Sequence, residues 1–265
     1  MTGDGMGQIL ALARIEAARL LRHPVFLLGL GLSGLLTVAA GGTDGPARVA
    51  VLEGMGALPM AGGTLLAANL AGLRSERDRT TELYDSLPGR TRDRAAGHLL
   101  ALAGPVALAT ALTAMTYILL GMHALVVNEA GLRHAPTAGE LAQGPLMVAS
   151  CGAIGVLLAR RTRSAIVAPV MLLALLALEV PLAVWGSQVA ARWALPFVND
   201  ARVVPGSWVP CGPDQVTAHC SFVTGYDTAG MPAHALYLIV LAAAASWVAL
   251  RPRRAPRRSL VPRRA

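Results

Sequence analysis

Lysine is missing altogether from this 265-residue chain: all 23 basic side chains are arginine. A phosphate loop of the G-x-x-x-x-G-K-[ST] kind needs its lysine, so the chain carries no ATP site of that type. Charge is scarce as well. Only 14% of residues are charged against 54% hydrophobic, where a soluble domain has about 25% charged. Together with a mean hydropathy of +0.54, this excludes a water-soluble enzyme. The six histidines are scattered, with no pair at ligand spacing on a helix, which leaves no metal motif. No Ser/His or Cys/His arrangement points to nucleophilic catalysis.

What the chain has is long runs without charge. About 20 apolar residues, rising about 1.5 Å each, cross a bilayer core. Such runs extend over Pro24–Thr43, Gly54–Leu73, Leu99–Asn128, Leu141–Ala159, Ser164–Leu178 and Thr228–Leu250, the fifth resuming at Val180 after Glu179. Six spans are expected. The first is not a signal peptide, because a long charged stretch precedes it and five further spans follow.

The net charge of +8 is placed by topology. Nineteen of the 23 arginines fall before span one, between spans two and three, between spans four and five, or after Leu250. The positive-inside rule then puts both termini in the cytoplasm. The tail, residues 251–265, has seven arginines and no acid; it is expected to be disordered and drawn to anionic lipid at about 1 kcal/mol per residue. Membrane lipid, not nucleic acid, is therefore the expected partner of the basic residues. The richness in Arg, Ala, Gly and Pro suggests a high-GC bacterial genome, hence a bacterial plasma membrane.

Residues 8–23 suit an amphipathic helix. Ile9, Leu10, Ala13, Ala17, Leu20 and Leu21 share one apolar arc, while Arg14, Glu16, Arg19, Arg22 and His23 occupy the remainder, with Leu12 and Ile15 intruding. Such a helix lies in the headgroup plane, and Pro24 turns the chain into span one. Beyond span five, the outer segment 185–233 carries Trp185, Trp193, Phe197, Trp208, Phe222 and Tyr226, types that favour the membrane–water boundary. Cys211 and Cys220 lie in its middle, where a disulfide can form and persist outside the cytoplasm. Residues 1–250 thus read as a single transmembrane domain.

The densest functional signal is Ser75–Leu100, SERDRTTELYDSLPGRTRDRAAGHLL. Topology accounts for its arginines but not for the interleaved Glu76, Asp78, Glu82, Asp85 and Asp93. Alternating charge around Leu83, Tyr84 and Leu87 suits a short amphipathic helix that contacts a protein, ended by Pro88-Gly89. This stretch resembles the cytoplasmic segment of ABC-2 type permeases, the membrane subunits of one class of ABC transporter. Glu76, Thr81, Leu83, Leu87-Pro88, Arg90 and Gly97 match that family's pattern, which departs at Thr80, where Gly is usual, and at His98, where Lys is usual. The resemblance implies an all-α membrane protein of six transmembrane helices behind an N-terminal interfacial helix. It implies that 75–94 is the coupling segment, with Glu76, Arg77, Thr81, Glu82, Leu83 and Arg90 facing a separate ATP-binding subunit. ATP and Mg would sit on that partner, with no cofactor on this chain. A second permease copy or a paralogue would complete a dimeric exporter.

Two polar residues are candidates for a pathway or gate. Asn69 in span two is expected to hydrogen-bond between helices. Glu179 precedes Val180-Pro181, where a broken helix would leave backbone groups needing partners. The alternative class is a secondary carrier or an accessory membrane subunit.

Overall fold

The structure is a computed structural model that describes residues 3–41, 54–74, 91–121, 125–126, 133–134, 137–185, 202–204, 225–227 and 231–251. Its large elements are helices: α1 (Gly3–Leu21), α2 (Pro24–Gly41), α3 (Leu58–Gly72), α4 (Thr91–Ala101), α5 (Ala103–Gly121), α6 (Ala138–Thr162), α7 (Val167–Trp185) and α8 (Met231–Leu250). Two short antiparallel ladders accompany them. β1 (Leu125–Val126) pairs with β2 (Arg133–His134), and β3 (Arg202–Val204) with β4 (Gly225–Asp227). Among the described residues the apolar runs fall on helices, apart from Leu102 and β1 in the third, the residues on either side of α3 in the second and the approach to α7 in the fifth. By length and hydropathy, the stretches 92–118, Ala138–Thr162 and Pro232–Leu250 can each cross a membrane, and the bent pair α1–α2 makes a fourth if it counts as one span. The chain has the helices of a multi-pass membrane protein.

Prolines set the breaks. Between α1 and α2 the chain turns by 61° at Arg22–His23, directly before Pro24, as its position at the start of a helix requires. The α4–α5 discontinuity lies at Leu102, three residues before Pro105. That ring cannot donate to the Ala101 carbonyl and crowds it. Pro181 behaves differently: α7 runs through Glu179 and Pro181 to Trp185 without a break, so the interruption considered there does not occur. An apolar span tolerates such a residue when neighbouring groups satisfy the released carbonyl.

α6 is the hub. It packs against α3, α8 and α5, while α3 is sandwiched between α6 and α2. These contacts run through small residues. A Cβ added at Gly155 would collide with the Leu65 carbonyl, one at Gly72 would lie 2.6 Å from Ala159 Cβ, and one at Gly63 2.9 Å from the Val25 carbonyl. Close backbone approach is how helices associate in lipid, where apolar burial gives no drive. Hydroxyls tie the same interfaces: Ser33 Oγ on α2 accepts from the Met60 N–H at 3.1 Å, satisfying an orphan donor of the first turn of α3. Thr116 Oγ1 on α5 meets Thr37 Oγ1 on α2 at 3.5 Å. Away from the hub, Leu28, Leu35 and Val38 on α2, Val170 and Leu173 on α7, and Leu236 and Val240 on α8 are exposed. So large an apolar exterior is foreign to soluble monomers and suits lipid.

The α1 face differs from the arc expected. Ile9, Ala13, Glu16 and Leu20 are buried, whereas Leu10 is 49% exposed. Leu12 packs over Gly97 of α4, whose added Cβ would come within 2.8 Å of its Cδ2. The protein-facing stripe is rotated towards Leu12 and takes Glu16 inside with it.

Candidate functional site

At one end of the bundle, Arg74 follows α3 and Thr91 opens α4, bracketing the expected coupling segment. Glu76, Arg77, Thr81, Glu82, Leu83 and Arg90 lie outside the described residues, as do Cys211 and Cys220. Glu179 lies on α7, its side chain outside the described set. What the structure describes is the framework on either side of 75–90.

That framework is electrostatic. Glu16, buried on α1, holds Arg19 Nη1 through Oε1 at 2.7 Å. Its Oε2 faces His98 Nδ1 at 3.9 Å, beyond hydrogen-bond distance. Arg74 and Arg160 lie near enough to act on His98, so residues from α1, α4, α6 and the end of α3 share one field. The elbow closes the same corner: the Val25 N–H donates to His23 Nδ1 at 3.3 Å, which serves the start of α2. Burial, and then the Arg74 guanidinium, hold the His23 imidazole below its ordinary value. Beside them, Arg161 Nη2 donates to the Val248 carbonyl at 2.7 Å and Arg160 Nη1 to that of Ala249. Two arginines ending α6 thereby cap the C-terminus of α8, where cations are favoured. Arg251 lies over the Trp247 ring at 3.3 Å, a cation–π contact.

In the interior, Asn69 is fully buried on α3. Neither its amide oxygen nor its nitrogen has a hydrogen-bond partner among the described residues, so the interhelical bond expected of it is not made there.

A third polar group was not anticipated. At the opposite end of α6 from the arginine pair, Glu140 and Gln143 are each 1% exposed, as is His234 in the first turn of α8. Gln143 Oε1 and His234 Nδ1 are 2.6 Å apart, and Gln143 Nε2 donates to the Gly139 carbonyl at 3.0 Å. Thr137 and Glu140 form a reciprocal capping box at the start of α6. The charge-free run of span four begins at Leu141, one residue past Glu140, and so leaves it outside. The signal that could have found it is Thr137-x-x-Glu140 ahead of an apolar run.

Among the described residues, no three His, Cys, Asp or Glu side chains converge to hold a metal ion. Comparison of the chain with protein-family models, curated proteins and solved structures finds no match.

Proposed function

We propose that the chain is the membrane-spanning permease subunit of an ABC-2 type exporter in a bacterial plasma membrane, with six spans and both termini on the cytoplasmic side. A separate ATP-binding subunit docks beneath 75–94 and hydrolyses ATP with Mg, and a second permease copy or paralogue completes the pathway. The observation that carries this is the framework around that segment. On its two flanks, His98 of α4 faces buried Glu16 of α1 at 3.9 Å, and Arg74 and Arg160 lie near enough to act on His98. A push on 75–90 then reaches α1, α3, α4 and α6 as a rigid-body displacement, and the break at Arg22–His23 gives α1 freedom to tilt against α2.

The test is recovery of the tagged protein from its native membrane in mild detergent, with mass spectrometry of what accompanies it. The expected companion is a stoichiometric ATPase carrying a phosphate loop. Reversing charge with E76R and E82R together should remove that companion while leaving the permease in the membrane. Association that survives the double reversal would overturn the coupling assignment. A secondary carrier is the second reading, favoured by one observation: Glu140 and His234 are ionisable groups buried between apolar helices. Repeated recovery without any ATPase would select it.

A further inference from the structure

The outward side of α8 is an apolar track. Leu238, Ala245 and Ala249 are buried against the bundle, whereas Leu236, Val240 and Trp247 are each more than half exposed. Positions 236, 240, 247 and 251 fall on one face of a helix, so the track ends at Arg251, itself exposed. Between Val240 and Trp247 the same face carries Ala243 and Ala244, both exposed, which makes it a shallow groove. From Leu236 to Trp247 it runs about 16 Å at about 1.5 Å per residue, close to half of a hydrocarbon core about 30 Å thick. One acyl chain of one leaflet therefore matches the groove in length, with Trp247 at the boundary level that suits indole.

Two arginines meet at the end of this groove. The Val248 carbonyl accepts from Arg161 Nη2 at 2.7 Å and from the Arg251 N–H at 3.4 Å. The Arg251 guanidinium lies on the Trp247 ring at 3.3 Å, a face-on contact that leaves the N–H groups along its edge pointing away from the ring. Arg161 spends on the carbonyl one of its five donors. An anion at a helix C-terminus is ordinarily repelled. Here the Val248 and Ala249 carbonyls are taken by Arg161 and Arg160, so α8 ends in guanidinium. Among the described residues neither Arg161 nor Arg251 forms an ion pair, and residues 251–265 contain no acid. Neighbouring like charges repel, and an anion between them relieves that.

We propose that this end of α8 binds one anionic phospholipid, its phosphate shared by Arg161 and Arg251 and its acyl chain laid along Trp247, Val240 and Leu236. Guanidinium matches a phosphodiester in charge and in the geometry of its paired N–H groups. A free phosphate would use the arginines and leave the groove idle. A zwitterionic lipid would bring an ammonium up to the same arginines. Held between them, the lipid phosphate joins the last turn of α6 to that of α8, in addition to the two carbonyl caps. Such a site requires only that α6 and α8 cross a membrane, whether or not an ATPase drives the chain.

Native mass spectrometry of the full chain, titrated in detergent with dioleoyl phosphatidylglycerol or dioleoyl phosphatidylcholine, counts the lipids retained. The first phosphatidylglycerol should bind about tenfold more tightly than the first phosphatidylcholine, as two arginines acting on one phosphate imply. R161Q/R251Q should erase that preference with helical circular dichroism unchanged, since glutamine keeps a hydrogen-bond donor at both positions. R161K/R251K, which keeps both charges, should restore it. R14Q/R22Q, which removes the same charge from exposed positions on α1, should leave it intact. Glycerol 3-phosphate at the lipid's concentration should not displace the lipid. Equal affinity of the wild type for the two lipids would overturn the proposal, as would a preference that survives R161Q/R251Q because carboxylates of the chain hold both arginines. Equal losses in the α1 and α6–α8 variants, the mark of diffuse basic charge, or displacement by glycerol 3-phosphate, the mark of a phosphate site alone, would refute it too.

Discussion

Gly155 to alanine is the sharpest test of how the hub is held. An added methyl at this position of α6 meets the Leu65 carbonyl oxygen head-on and lies 3.1 Å from Ala68 Cβ. The obstacle is backbone, so it cannot swing aside as a side-chain tip would, and α3 must shift away from α6. Overpacking of this kind costs about 1–3 kcal/mol. Alanine also favours the helix over glycine by about 1 kcal/mol, which works against the clash. The net loss expected for G155A is therefore up to about 2 kcal/mol, which puts it about 1–3 kcal/mol below a glycine-to-alanine change that meets no clash. Gly34 on α2 supplies the contrast, since nothing lies within 4 Å of its added Cβ; G34A should be neutral or slightly stabilising. Unfolding of both variants in mixed micelles, followed by loss of helical circular dichroism, reads the difference directly. If G155A proves as stable as G34A, close α3–α6 approach is not what holds the hub.

Two further outcomes follow from the charged corner. His23 has its imidazole held below its ordinary value, so its contribution to stability is present above that value and is lost as pH falls through the ordinary imidazole range towards the lowered one. Unfolding midpoints should accordingly drop on acidification, and H23N, whose amide oxygen can still accept from Val25, should lack that part of the drop; an identical pH profile would refute the assignment. Replacing Arg160 and Arg161 together by alanine removes both caps of α8. Amide exchange over 246–251 should rise by about tenfold, the equivalent of about 1.4 kcal/mol, and unchanged exchange would show that the caps contribute nothing.

The apolar helices were legible in the sequence as long runs without charge, α1 by its amphipathic pattern, and the elbow because Pro24 marks it. The rotation of α1 was not. An arc drawn from hydropathy assumes that the apolar side faces the protein, but a helix at a membrane has apolar surroundings on two sides. Glu16 goes inward because Arg19 accompanies it, and Leu12 because Gly97 makes room. The α3–α6 contact was also written in plain sight, as Gly155-x-x-x-Ala159, yet small residues carry neither charge nor a strong hydropathy signal. Glu140 was missed for the opposite reason: a charge at the lip of a run ends the run by definition, although a capping box can take a carboxylate inside. The candidate coupling residues were read from charge pattern and resemblance, and the structure contributes the anchored flanks beside them.

The position of α3 has a consequence for how the protein is made. Fifteen residues at about 1.5 Å each give about 22 Å, short of a hydrocarbon core about 30 Å thick. Its surface includes Thr64 and Asn69, both fully buried once α6 is in place. During synthesis α3 emerges well before α6, and until then α2, with a smaller contribution from α1, is what shields it. A nascent chain that has reached Gly121 thus holds a short, partly polar helix against lipid, and its escape from membrane quality control depends on how soon the fourth apolar run arrives.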